Sequence, residues 1–278
     1  MAADDVVIWN GVGADNAFAT AGNYVGAAIP QSTGGVIFPA LAANTAHDVD
    51  GSDQSLIEMA TTMVESGCYL NFGSRDTYLK LSSTAFHYAG SGKGFFELTS
   101  CTEARLTGGS SSASGYTYGM SIKGATIASL IINVGSGNTV GIAALEDETA
   151  TVTTMQAVSG IIAMGDAVTC TTLYVDGANV TNSSNVTTAT ISSGTYRQVK
   201  NKPTTLNVIG SARVYYDSAT APTTVTLRGN AILDMSQDSV VKTFATVNLY
   251  DNAQIYDPNN VLTITTLTRY KGGTLAVS

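Results

Sequence analysis

Between residues 153 and 275 one short phrase returns seven times: TTMQAVSGII (153–162), TTLYVDGANV (171–180), TTATISSGTY (187–196), TTLNVIGSARV (204–214), TTVTLRGNAIL (223–233), ATVNLYDNAQI (245–255) and TTLTRYKGGTL (265–275). The residue after the Thr pair is Met155, Leu173, Ala189, Leu206, Val225, Val247 and Leu267, so the phrase recurs every 16 to 22 residues. Inside it apolar and polar side chains alternate, as at Leu206 and Val208 or Val225 and Leu227, which is the two-residue period of a strand. Gly, Asn or Asp then turns the chain. One strand-and-corner unit at this period is one coil of a β-solenoid.

A lone coil cannot bury its apolar edge, so copies must stack, strands parallel and about 4.8 Å apart, around one narrow core. The aligned set from Met155 to Leu267 is expected to point inward as one row. The set two residues on (Ala157, Val175, Ile191, Val208, Leu227, Leu249 and Arg269) is expected to form a second core row. The fold expected is all-β: a parallel β-helix, right-handed because parallel crossovers almost always are, with an irregular N-terminal capping region. Residues 1–66 make the cap and first irregular coils, and 67–278 the solenoid, with the low-complexity loop GGSSSASGYTYG (108–119) as a protrusion.

Composition narrows the function classes. Charged residues are 12% of the chain, against about 25% in an ordinary globular domain. The net charge is −8 and Lys and Arg are scattered, which argues against a nucleic-acid partner. No apolar run reaches the roughly 18 residues a membrane span needs. The opening Met-Ala-Ala-Asp-Asp is acidic and does not read as a signal peptide, so synthesis in a cytoplasm is expected. Cys68, Cys101 and Cys170, odd in number and far apart, are expected to be buried small apolar residues rather than a disulfide or metal set.

Nearer the N-terminus the pattern is looser. Leu56, Met59, Met63 and Val64 stand at helical spacing, yet a strand also fits, so 44–66 admits either. CYLNF (68–72), TYLKL (77–81), GFFELTSC (94–101) and ARLTG (104–108) read as strands, and Gly73, Gly90, Gly92, Gly108 and Gly109 as turns of positive φ. The acidic run Glu146-Asp147-Glu148 reads as a solvated turn.

Residues 9–38 carry a resemblance. Trp9-Asn10-Gly11, Asn23-Tyr24, Pro30 and the apolar Val36-Ile37-Phe38 resemble the opening of phage and bacterial β-solenoid proteins, with Tyr24 where Trp is commoner. Trp9, Phe18 and Tyr24 are large enough to close the end of a solenoid core. The resemblance implies a phage virion structural protein, such as a head decoration protein or a tail spike.

Candidate chemistry is sparse. His47-Asp48-Val49-Asp50-Gly51-Ser52-Asp53 has calcium-loop composition, but Gly51 is misplaced and the twelfth position from Asp48 is Met59, with Glu58 one residue short, so a solvated acidic turn is expected and no metal. His47 and His87 have no nucleophile partner in sequence. Asp176, Asp217, Asp234, Asp251 and Asp257 do not share one phase, so no carboxylate pair should face across coils as a glycosidase requires. Tyr116, Tyr118, Tyr215 and Tyr216 suit a protomer interface or sugar stacking. The sequons at Asn182 and Asn185 are products of Ser/Thr-rich composition.

The expectation is therefore a non-enzymatic virion protein without cofactor, metal or catalytic residues. It would be a capsid decoration or cement protein on the outer head surface of a tailed bacteriophage. Alternatives are a tail fibre or receptor-binding spike, and a carbohydrate-binding or carbohydrate-degrading β-helix. Poor Lys content on strand-rich flanks favours self-association. A homotrimer docked on the major capsid protein or another virion protein is expected, with a host surface glycan as a further partner.

Overall fold

The computed structural model describes residues 5–13, 15–40, 48–111, 118–270 and 274–276, for the last three the backbone only. The chain opens with β1 (Val6–Ile8), β2 (Gly35–Phe38) and β3 (Asp53–Val64), then the long β4 (Leu79–Tyr88), β5 (Gly94–Leu106) and β6 (Met120–Asn133). Next come β7 (Thr139–Ile142), β8 (Ala150–Ser159), β9 (Ile161–Met164), β10 (Val168–Asn182) and β11 (Asn185–Gln198). The last coils each hold two strands: β12 (Pro203–Val208) with β13 (Arg213–Tyr216), β14 (Thr224–Leu227) with β15 (Ile232–Asp234), β16 (Lys242–Tyr250) with β17 (Gln254–Tyr256), and β18 (Leu262–Tyr270) with β19 (Thr274–Ala276). All belong to one parallel sheet that coils upon itself as a β-solenoid of about ten turns.

The register follows the repeat in the sequence. Leu130, Met155, Leu173, Ala189, Leu206, Val225, Val247 and Leu267 are successive partners through β6, β8, β10, β11, β12, β14, β16 and β18. The row from Ile132 through Ala157 and Val175 to Leu249 and Arg269 runs beside it. All members of the first row are buried except Leu267, which is 36% exposed because β18 has a neighbour in this row on one side only, among the described residues. Arg269, on the same outermost strand, is exposed too.

Corners repeat as well. Gly160, Gly177, Gly194, Gly210 and Gly229 stand at the corner of the phrase in successive coils at φ from +68° to +113°, and Asp251 takes the next coil at +56°. Five glycines and then an aspartate satisfy a position where most side chains would be strained.

The first coils settle one open point and correct another. Of the two readings open for 44–66, the strand holds over residues 53–64 (β3), because β2 and β4 offer edges on both sides. Met59 and Val64 point inward while Leu56 is 94% exposed, so the helical spacing of apolar residues was coincidental. Only Gly73 and Gly109 of the expected positive-φ glycines adopt it. Gly92 is required for another reason: a Cβ there would lie 1.8 Å from the Leu70 carbonyl oxygen of the preceding coil. Of the loop 108–119, residues 112–117, including Tyr116, lie outside the described residues.

The residues that carried the family resemblance pack as one body. Trp9 meets Tyr24 edge-on at 5.2 Å and Phe38 at 5.6 Å, Phe18 lies 6.1 Å from Tyr24, and Phe38 meets Phe72 of the next coil at 4.9 Å. The Tyr24 hydroxyl donates to the Phe18 carbonyl oxygen (2.7 Å), so the aromatic cluster is buried with that polar atom satisfied. Cys68, Cys101 and Cys170 are buried and free, as expected.

Candidate functional site

The main concentration of ionisable side chains lies where the irregular coils meet the regular ladder. Asp53, Lys80, Glu97 and Lys123 are successive register partners on β3, β4, β5 and β6, so the stacking itself places acid, base, acid and base in file. Lys80 Nζ lies 3.2 Å from Asp53 Oδ2 and 3.7 Å from Glu97 Oε1, and Lys123 Nζ lies 3.6 Å from Glu97 Oε2. Hydrogen bonds from the Ser55 hydroxyl and backbone N–H, with Lys80 beside it, hold the Asp53 carboxyl below its usual range. The hydrogen bond to Asp53 raises Lys80 in turn. These pairs are solvated, so salt screens them and each is weak.

Residues 143–149, inserted between β7 and β8, fold over the end of this file. Ala143 and Asp147 both have positive φ, +41° and +62°, an uncommon state for residues other than glycine. This bend drives Glu148 beneath the loop, where it is 7% exposed. Its Oε1 accepts a hydrogen bond from the Tyr78 hydroxyl and its Oε2 one from the Leu145 N–H (3.1 Å). The Tyr78 hydroxyl also lies 2.9 Å from Ser121 Oγ, and the Lys123 ammonium sits 4.1 Å above the Tyr78 ring. Burial, followed by the contact with Glu148, raises the Tyr78 phenol well above its ordinary value, so it stays protonated near neutrality. The groove above has a volume of about 510 Å³, with Arg75, Asp76, Glu146 and Asp147 on its rim.

The sequence reading of Glu146-Asp147-Glu148 as a solvated turn thus fails at Glu148. The charge file was invisible because its members stand 27, 17 and 26 residues apart (53, 80, 97, 123). Its only sequence signal was single charges inside the strand-like pieces TYLKL and GFFEL.

The remaining candidates are dispersed. His47 lies outside the described residues. Asp48 accepts hydrogen bonds from the Asn71 backbone (2.8 Å) and side chain (3.0 Å), and Asp53 pairs with Lys80, so two carboxylates of the calcium-like stretch are directed to neighbouring groups. Among the described residues no cluster of three or more His, Cys, Asp or Glu is placed to hold a metal ion. His87 Nε2 lies 3.2 Å from Glu103 Oε1, which also accepts from Arg105.

The aspartates of the ladder bridge coils rather than face one another. Asp176 accepts from Ser192 and Ser193, Asp217 from Arg197, Asp234 from Arg213, and Asp251 from the Gly229 N–H, while Asp257 caps the N–H groups of Val261 and Leu262. Tyr216, expected at a surface, is buried because its strand parity points it inward, and its hydroxyl donates to the Thr220 carbonyl oxygen. Tyr118 and Tyr215 are half-buried. The exposed rings include Tyr69, Tyr174, Tyr256 and Tyr270, which the sequence did not single out. Asn182 is buried, its amide donating to Tyr196 Oη and Gln198 Oε1, so its sequon is incidental.

Fold and site together define a parallel β-solenoid stapled by ion pairs running along its axis. No family model matches the chain, and neither a curated protein nor a solved structure does. Among the described residues no helix is long and apolar enough to cross a membrane.

Proposed function

We propose that this protein is a non-enzymatic structural component of a tailed bacteriophage particle, a decoration or cement protein on the outer surface of the head. The observation that carries the structural reading is the state of the groove. Lys80, Glu97, Lys123, Tyr78 and Glu148 on its floor are engaged with one another across neighbouring coils, an arrangement that suits a staple between coils. Such pairing tightens neighbouring coils and suits a rigid rod. The phage assignment rests on the resemblance of residues 9–38, whose Trp9, Tyr24 and Phe38 converge in one packed cluster.

The particle would be met by a homotrimer. The outward face of β9, β10, β11, β13, β15 and β17 supports this: it carries exposed Ile161 and Tyr256, with Tyr215 and Ile232 half-buried between them. A shallow groove of about 340 Å³ between Ile161, Thr181, Arg197 and Tyr215 gives that face relief for a neighbour's side chain. Closed threefold packing buries three such faces and leaves one common end for the major capsid protein or another virion protein.

Quantitative mass spectrometry of purified particles of the encoding phage tests the assignment, with light scattering of the isolated protein for its mass. Hundreds of copies per particle, and a trimer in solution, are expected. A few copies confined to the tail would favour a fibre or spike. A monomer absent from particles that cleaves or binds host polysaccharide would replace this reading with the carbohydrate one.

A further inference from the structure

The Thr pairs that open each phrase form an ordered surface that the structural role does not use. The second Thr of each pair, from Thr154 through Thr172, Thr188, Thr205, Thr224 and Thr246 to Thr266, is the register partner of the next, with no shift along this segment. Two residues on, a second outward column alternates Thr190, Asn207, Thr226, Asn248 and Thr268 in the same register. Beside them the first Thr of the pair, as at Thr187, Thr204 and Thr223, is exposed. No Asp, Glu, Lys or Arg stands in any of the three columns.

Strand geometry sets the dimensions of this grid. Neighbouring coils are about 4.8 Å apart and alternate residues of a strand about 6.7 Å apart. Over five coils, from Thr188 to Thr268, hydroxyls, amides and methyls therefore repeat in two directions at nearly fixed spacing. The β-branched Thr side chain has few rotamers, and stacking of Thr on Asn leaves the second column half-buried, so the grid is stiff.

A partner that matches such a lattice must itself repeat in two directions, as a crystal face does. The two spacings lie near the perpendicular oxygen repeats of hexagonal ice. Water held by such hydroxyls and confined by the methyls would take up that spacing, so little further ordering would be needed on contact. A charged side chain in the grid would instead impose its own hydration shell. We propose that the Thr face binds ice, with crystalline water as the ligand.

The test uses the whole chain. Nanolitre osmometry should show faceted crystals and thermal hysteresis, and ice recrystallisation should be inhibited. Thr205→Lys, in the middle of the grid, should abolish both effects with an unchanged circular dichroism spectrum. Leu56→Lys, at a 94% exposed position on β3 outside the grid, should leave them intact. Thr205→Val keeps the shape and removes one hydroxyl, and covers the case in which the Lys variant fails to fold; it should reduce the hysteresis. Crystals that grow with the wild-type protein as they do in buffer overturn the proposal, as does equal loss in Thr205→Lys and Leu56→Lys. So does a Thr face buried between copies, seen as a fall in solution mass for Thr205→Lys with no ice activity in the wild type. These outcomes are independent of the particle counts that test the structural role.

Discussion

Lys242 and Asp238 form an ion pair inside the solenoid, with side chains 2% and 1% exposed. The ammonium donates to Asp238 Oδ2 and to the Ser218 carbonyl oxygen, and lies 5.4 Å from the Tyr216 ring centre, while Asp238 Oδ1 accepts the Val240 N–H at 2.9 Å. Lys242→Met fills much of the same space but leaves Asp238 charged with one hydrogen bond. Removing one partner of such a pair costs about 3–5 kcal/mol. Unfolding entropy is about 2.1 cal/mol/K per residue, or about 0.6 kcal/mol/K over the chain of 278 residues, so the melting temperature should fall by about 5–9 °C. The double variant Asp238→Asn with Lys242→Met removes both charges and should recover at least half of the loss, since an ion pair and a neutral replacement are often of similar stability. Calorimetry gives the shifts. Hydrogen exchange across β13 to β17 shows whether the loss is local, as expected of a stacked array in which each coil touches only its neighbours. A Lys242→Met protein that melts within a degree of wild type, or a double variant no better than the single one, would refute the buried pair.

Three further outcomes follow from the same structure. Leu206→Asp places a carboxylate in a row where Leu206 is fully buried and should cost on the order of 4 kcal/mol or more, whereas Thr204→Ala, at an exposed position, should cost less than half as much; equal urea midpoints would contradict the register. Burial pushes the Cys101 and Cys170 thiols up to about 11 and about 12. Above pH 9 the unfolded thiols release protons that the folded ones retain, so the unfolded state binds fewer protons and stability must fall as pH rises from about 9 towards 12. Denaturant titrations at pH 7, 9 and 10.5 would check this, and native protein at pH 8 should resist thiol reagents that label the unfolded chain; rising stability over that range would count against it. Gly165→Ala would put a Cβ 1.7 Å from the Ala143 carbonyl oxygen at the base of the 143–149 loop, and should cost about 1–3 kcal/mol, read as a lower melting temperature, while an unchanged one would show that the loop can give way.

What the sequence determined by itself was the regular part of the fold. Every copy of the phrase meets the same environment, so the inward residues from Met155 to Val247 and the corner glycines are repeated, and repetition can be read without coordinates. Where coils differ in length that signal disappears. Leu56, Met59, Met63 and Val64 fitted a helix locally, and pairing with β2 and β4 decided for a strand. Asp53, Lys80, Glu97 and Lys123 form a file only because unequal insertions separate them along the chain and the stacking realigns them. Glu148 and Lys242 bear charges that composition assigns to solvent, and partners distant in sequence, Tyr78 for one and Ser218 for the other, make their burial tolerable. Short-period pattern fixes which way a side chain points, and only the assembled coil decides which side chains from other coils it will meet.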